Sequence, residues 1–184
     1  MGEKLCILWI GAHPDDETQV GGTLAKFAMK GHRVVICVVS KGEKGHMTIP
    51  PDKLAKIRDE EMAEAAKILG AEYYGNLGLP DQEVFVTNEF VHQVTEVIRE
   101  VIPDIVITHW ERDYHPDHNN TSIAVTSAVL AAVNPSYKTK TPAHWVQRLY
   151  YADTQNGLDF EPDFWIDISD TIEIKLKAFA AHKT

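Results

Sequence analysis

The segment Lys4–Gly31, KLCILWIGAHPDDETQVGGTLAKFAMKG, decides how the rest of the chain is read. Its first seven residues are an apolar, partly β-branched run, which predicts a buried strand over Lys4–Ile10. In its second half Val20, Leu24, Phe27 and Ala28 recur at i, i+4, i+7 and i+8, and Gly31 stands where a helix C-cap belongs, predicting a helix over Glu17–Lys30. Between them lies Gly11-Ala12-His13-Pro14-Asp15-Asp16-Glu17, an imidazole and three carboxylates in a strand-to-helix turn. Acidic residues there also serve as helix caps. The turn has no GxGxxG, and its carboxylates would repel a pyrophosphate, so a dinucleotide site fits the turn worse.

The same alternation continues outward. Further strands are expected at Arg33–Val39, Ala71–Asn76, Asp104–His109, Arg148–Tyr151 and Phe164–Ile168. Helical stripes fill most of the gaps. Asp52–Leu69 places Ala55, Met62, Ala65, Ala66 and Leu69 on one face, with Arg58 on the same stripe. Val91, Val94, Ile98 and Val101 follow an N-cap at Asn88, and Asn119–Ala132 is built of small residues. A last helix opens at Ser169 or Asp170, with Glu173 completing a capping box and Ile172, Leu176 and Phe179 on its apolar face. Strand and helix in alternation mean an α/β fold, a Rossmann-like three-layer αβα sandwich on a mainly parallel sheet. Three aperiodic stretches, Gly11–Glu17, Ser40–Pro51 and Trp110–His118, each follow a strand and so open at the carboxyl edge, where such sheets hold ligands. Ser40–Pro51, with two glycines and three charged residues, is expected to be a mobile lid.

Composition narrows the classes. The chain has 184 residues, 44% of them hydrophobic, enough for one domain with an ordinary core. Eighteen Lys and Arg against 27 Asp and Glu leave a formal charge of −9, which argues against nucleic-acid and anionic-membrane surfaces. Cys6 and Cys37 both sit in apolar runs, so a disulfide framework or Cys-based zinc site is ruled out. No apolar stretch approaches a membrane span, and the apolar run Leu5–Ile10 passes straight into a charged motif without a small-residue cleavage site, so a cytoplasmic location is expected.

The second charged cluster, Asp113-Tyr114-His115-Pro116-Asp117-His118, lands on the same sheet edge as the first. One His and one Asp from the first cluster with one His from the second supply three N/O ligands, the set of a catalytic zinc site. Such an ion lowers the pKa of a water from about 15.7 to near 7, and a spare carboxylate can act as base. The donor mixture suits Zn2+ first and also admits Fe2+, Co2+ or Mn2+. A metal-dependent phosphoesterase and a non-catalytic sugar- or metal-binding module are the competing readings.

These residues resemble the LmbE-like (PIG-L) family of metal-dependent N-acetylglucosamine deacetylases. The likeness rests on AHPDDE after the first strand, GGTLAKFA behind it, and HPDH after the fourth, with Lys41-Gly42-Glu43, Arg58, Leu77-Gly78-Leu79-Pro80-Asp81 and Asp167-Ile168-Ser169 agreeing. The resemblance implies that His13, Asp16 and His118 hold the metal, that Asp15 is the general base, that His115 stabilises the transition state and that Asp117 orients His115. It implies hydrolysis of the linear amide of an N-acetylglucosamine-type amino sugar, whose aglycone in the family ranges over inositol, malate, phosphatidylinositol and chitooligosaccharides. Arg58, Glu43 and Tyr114 are taken as substrate-binding, with Trp110 and Glu111 beside Tyr114 at the pocket mouth. Arg58 on an inward stripe needs a carboxylate or polar substrate group as partner. His109 and His144 are weaker candidates, and His32, His46, His92 and His182 read as surface residues. Residues 1–184 are read as a single LmbE-like deacetylase domain, minimal or truncated after Thr184, because family members usually continue with a segment that walls the pocket. A small-molecule partner is expected, no nucleic acid and no membrane, with a homo-oligomer left open.

Overall fold

The computed structural model describes residues 4–157 and 159–184. Five strands, β1 (Cys6–Gly11), β2 (Arg33–Ser40), β3 (Glu72–Leu79), β4 (Ile105–His109) and β5 (Arg148–Ala152), form one sheet in the order β3-β2-β1-β4-β5, each pair parallel. The order reverses between β1 and β4, which places a crevice at their carboxyl ends. Parallel strands are covered on both faces, which is why Ile7–Ile10 and Val34–Val39 are continuous apolar runs and are buried throughout.

The helices are α1 (Gly21–Met29), α2 (Pro51–Leu69), α3 (Asn88–Val101), α4 (Pro116–Val133) and α5 (Ile172–Phe179). Alternation along β1 divides the core in two. Leu8 and Ile10 share a cluster with Val94 and Ile98 of α3 and with Ala124, Val125 and Ala128 of α4. Ile7 and Trp9 face Leu24 of α1, Met62, Ala65 and Leu69 of α2, and Ala178 of α5. The result is the expected αβα sandwich. No helix among the described residues is long and apolar enough to cross a membrane.

Four boundaries depart from the sequence reading. Phe164–Ile168 is not a strand: Phe164, Trp165 and Ile166 are exposed, and the segment docks on α1 instead of the sheet. Lys26 Nζ donates to Asp167 O and Thr171 Oγ1 to Gly22 O, while Ile168 fills the space a Cβ at Gly22 would need, 2.7 Å from its Cδ1. The helix expected from Glu17 begins at Gly21, after a 3-10 turn over Asp16–Gln19, because the Asp16 and Glu17 side chains turn inward rather than along a helix face. The capping box at the start of α5 is absent, since the Asp170 carboxylate pairs with Lys26 at 2.9 Å and Thr171 occupies the N-cap. The N-cap of α3 is Thr87, whose hydroxyl accepts the Phe90 N–H at 3.1 Å, not Asn88.

The fourth helix also starts earlier than its apolar pattern. Pro116 is its first residue, suited to N1 by its fixed φ and missing N–H, and His115 is the N-cap, Nδ1 accepting the Asp117 N–H at 3.2 Å. Asp117 and His118 therefore sit in the first turn of α4, aimed at β1.

Candidate metal centre

The turn after β1 is tight and closed on itself. The His13 N–H donates to Asp16 Oδ2 at 2.6 Å, and the Asp16 N–H returns to His13 O at 3.3 Å. Asp15 between them has φ 118°, a left-handed backbone that Asp tolerates better than most residues but at a cost on the order of 1–3 kcal/mol. Its side chain makes no cap hydrogen bond. The strained turn separates two adjacent carboxylates: Asp16 is 2% exposed, whereas the Asp15 side chain is 39% exposed and faces the crevice.

Asp16 collects the histidines. Its Oδ1 lies 3.3 Å from His118 Nε2, and its Oδ2 lies 3.5 Å from His13 Nδ1 and 3.2 Å from His109 Nε2. Behind each of the two expected histidine ligands stands another carboxylate. His13 Nε2 is 3.0 Å from Asp117 Oδ2 and 3.3 Å from Asp81 Oδ1, and His118 Nδ1 is 3.1 Å from Asp113 Oδ2. Carboxylates in that position orient imidazole ligands and raise their basicity. His13 Nδ1 and His118 Nε2 are thus the nitrogens left facing Asp16. Donor atoms of His13, His115 and His118 lie within 4.8 Å of one another, as do those of Asp16, His109 and His118.

Asp117 takes a different place from the one the resemblance implied. Its carboxylate accepts from the Gln82 and Val84 amides and meets His13, while only its backbone N–H reaches His115. His109 was only a weaker candidate, and Asp81 and Asp113 were not among the expected site residues. His109 is fully buried, accepts the Ala12 N–H at 2.9 Å through Nε2 and stacks on His118 at 4.1 Å. The one available signal for it was its position at the end of a strand. His182 is no surface residue either: Nε2 lies 2.8 Å from the Oε1 of Glu17, which is wholly buried one residue beyond Asp16.

The electrostatics follow from this crowding. Burial opposes a charged His13, but hydrogen bonds with Asp117, Asp16 and Asp81 push it up to about 12. Burial likewise disfavours the Asp16 carboxylate, yet His109 and His118 hold it well below the usual range. His118 is raised against burial by Asp16 and Asp113, whereas burial lowers His109 and, with His13 and His118 nearby, His115. Burial and the neighbouring Asp16 lift Asp15 to about 6, with Arg58 pulling the other way. The residues fit a divalent cation: Asp15, Asp16, Asp81, Asp113 and Asp117 converge on imidazoles, and protons on His13 and His118 supply the positive charge a metal would replace.

Arg58 finds its partner. It is buried, donates through Nη2 to Asp15 Oδ2 at 3.2 Å and through Nη1 to Gly42 O at 3.3 Å. Gly42 and Gly45 make room for the guanidinium, since a Cβ on either would stand 2.5 or 2.9 Å from Nη1. The Ser40–Pro51 loop is pinned at its start by these contacts and by the Lys44 N–H on Asp81 Oδ2, whereas Met47 at its tip is fully exposed. Glu43 Oε1 accepts the Asp81 N–H, and its other oxygen is buried without a partner. Tyr114 is 47% exposed, edge-on to His115 and His118.

Residues 8–129 match the family model described as PIG-L, GlcNAc-PI de-N-acetylase. The chain belongs to the PIG-L family. It is 30% identical to diacetylchitobiose deacetylase of Thermococcus kodakarensis, over 97% of this chain and 69% of that one. It is 28% identical to the 1D-myo-inositol 2-acetamido-2-deoxy-alpha-D-glucopyranoside deacetylase of Rhodococcus erythropolis, over 97% and 80%. The solved structure of N,N'-diacetylchitobiose deacetylase from Pyrococcus horikoshii superposes with TM-score 0.88 at 27% identity, covering 98% of this chain and 70% of that one. The PIG-L match contains every donor named above from His13 to His118, while β5, α5 and His182 lie beyond it.

Proposed function

We propose that this chain is an N-deacetylase that hydrolyses the acetamide of an N-acetylglucosamine-type sugar or its conjugate, with a divalent ion, Zn2+ first among Zn2+, Fe2+, Co2+ and Mn2+, held by His13, Asp16 and His118. The observation that carries the reading is the divergence of Asp15 from Asp16. One carboxylate is buried among imidazoles as a ligand must be, and the next is open to the crevice as a base must be. When bound, the ion supplies Lewis acidity toward a water and the acetamide carbonyl.

The chain's own groups do the rest. Asp15 takes a proton as the water oxygen bonds to the carbonyl carbon, and returns it to the nitrogen as the C–N bond breaks, leaving acetate and a free amine. His115 Nδ1 accepts the Asp117 amide, so Nε2 carries the proton of the neutral ring and donates to the carbonyl oxygen as it becomes an oxyanion. Asp117 steadies the site through His13 and the α4 N-terminus. Arg58 holds Asp15 in place, and with Glu43 and Tyr114 it meets the sugar hydroxyls. Residues 1–184 act in this reading as one catalytic domain, and the unpaired thiols of Cys6 and Cys37 favour a cytoplasmic setting.

Phosphoester hydrolysis is not proposed, because the relatives named above are deacetylases and the carboxylates flanking the site oppose a dianion. The test is to incubate metal-loaded protein with N-acetylglucosamine, its β-linked dimer and an aryl phosphate, measuring amine and phosphate. Amine release is expected. Phosphate released faster than amine overturns the proposal.

A further inference from the structure

Glu17, the last carboxylate of the AHPDDE turn, neither joins the imidazoles nor opens to the crevice. It is wholly buried in the 3-10 turn that carries Asp16. Among the described residues its carboxylate has one partner: Oε1 accepts from His182 Nε2 at 2.8 Å, and Oε2 has none. The turn is too short for Glu17 to move alone. The Asp16 N–H donates to His13 O, the Thr18 N–H to Asp15 O at 3.1 Å and the Val20 N–H to Glu17 O at 3.1 Å, which ties its backbone to both neighbouring aspartates.

His182 arrives from far along the chain. It follows α5, 165 residues after Glu17 and outside the PIG-L match, and its side chain is 6% exposed. The two residues after it are fastened as well. The Lys183 N–H and the Thr184 hydroxyl donate to the two oxygens of Glu61 at 3.1 and 2.8 Å, and Thr184 O accepts from Arg58 Nη2 at 3.5 Å. That same nitrogen donates to Asp15 Oδ2. One strap, residues 182–184, thus touches the supports of both carboxylates: Glu17 next to Asp16, and Arg58 next to Asp15.

A buried carboxylate that loses its one donor is far costlier than a broken surface contact, so Glu17 would shift to find another partner and carry the turn with it. Charge alone predicts the opposite result. Against burial, Glu17, Asp15 and Glu61 favour the protonated form of His182, so deleting the ring removes positive charge near the ion's place and should tighten a divalent ion. A loss of affinity therefore reports geometry.

We propose that His182 is a positioning residue for the metal centre, holding Glu17 and through it the turn that presents Asp16 to the ion and Asp15 to the crevice. The proposal rests on the metal-dependent deacetylase reading and adds to it a support from a distant part of the chain.

The experiment measures Zn2+ affinity by competition with a chelator of known Kd, beside kcat and KM for acetate release from the β-linked N-acetylglucosamine dimer. The variants are His182→Ala, His182→Gln, Glu17→Gln, the double variant Glu17→Gln with His182→Ala, and Val101→Ala. Val101 is a core residue of α3 at the opposite edge of the sheet, beside Cys6, and controls for lost stability. His182→Ala is expected to raise the Zn2+ Kd about 10–100-fold. It should also lower kcat about tenfold with KM unchanged, because the strap displaces the base and not the sugar. His182→Gln, whose amide N–H reaches the place of Nε2, is expected to restore most of both, and Val101→Ala to leave both unchanged. On the Glu17→Gln background His182→Ala should have no further effect. Unchanged or tighter Zn2+ binding in His182→Ala overturns the proposal. So does an equal loss in Val101→Ala, a His182→Gln no better than His182→Ala, or an undiminished loss on the Glu17→Gln background. Should His182→Ala not fold, His182→Asn, which stops short of Glu17, takes its place. If wild type holds Zn2+ but releases no acetate, the deacetylase reading fails and the Zn2+ affinities decide alone. A wild type that holds no Zn2+ overturns the proposal as well.

Discussion

Asp15 and Asp16 share a peptide bond and almost nothing else. The positive φ at Asp15 sends one carboxylate to the imidazoles and the other to Arg58 and the crevice. Asp15→Asn keeps a residue that accepts the left-handed backbone but cannot take the proton, so we expect unchanged metal content and a kcat lowered on the order of 10²–10⁴-fold. Wild-type turnover in metal-loaded Asp15→Asn would remove Asp15 from its role. His118→Ala should lose stoichiometric metal, whereas His115→Ala should keep it and lower turnover, both read by elemental analysis beside acetate release. His182 makes a pH-dependent contribution. Burial opposes its charge, but Glu17, with Asp15 and Glu61 adding, raises its pKa above the ordinary value. A raised folded-state pKa means stability fully present below about pH 6.5 and lost as pH climbs through the folded value. Replacing His182 with Gln should therefore cost about 1–3 kcal/mol at pH 6 and visibly less at pH 9, measured by urea unfolding. Equal costs at both pH values would show that the contact needs no charge.

At the scale of elements, two pieces decide the geometry of the site. The α4 N-terminus presents His115, Asp117 and His118 within one turn, and Pro116 makes that start possible. The loop after β2 then closes over Arg58. Gly42 has φ +64°, and a Cβ there would meet Arg58 Nη1 at 2.5 Å and Pro14 Cδ at 3.0 Å. Gly42→Ala should displace the guanidinium from Asp15 and lower kcat by about tenfold, with a stability loss on the order of 1–3 kcal/mol from strain. Unaltered activity would mean that the Arg58–Asp15 contact does not position the base. The tip around Met47 is where hydrogen exchange should slow on binding an amino sugar, and equal exchange with and without it would deny the loop a closing role.

The whole molecule concentrates its acidity where a cation is wanted. With formal charge −9 overall and Asp15, Asp16, Asp81, Asp113 and Asp117 gathered at one sheet edge, the folded state repels itself there unless protons or a metal intervene. Chelation should therefore lower Tm. An ion present at about 100 times its Kd adds about 2.7 kcal/mol, which for a chain of this size is on the order of 5–10 °C. Identical melting curves with and without chelator, in protein shown to have held metal, would contradict a structural share for the ion.

What the chain's own order of residues determined is the class of fold and the two clusters that meet. Continuous apolar runs force strands buried on both faces, the intervening 3.6-residue stripes force covering helices, and a parallel sheet brings every post-strand loop to one edge, so AHPDDE and HPDH had to converge. The division of labour inside that edge was not legible. Nothing local marks Asp117 as the partner of His13 rather than of His115, or His109 as the ring stacked beneath His118, because both depend on side-chain directions set by the start of α4. The failure at Phe164–Ile168 has the same root: a β-like run becomes a strand only if an edge accepts it, and here Gly22 and Lys26 of α1 took the segment instead. His182 and Glu17 lie 165 residues apart and meet because α5 packs across α1 and α2. Periodicity reports which face of an element is buried, but only tertiary packing selects which polar groups are buried together.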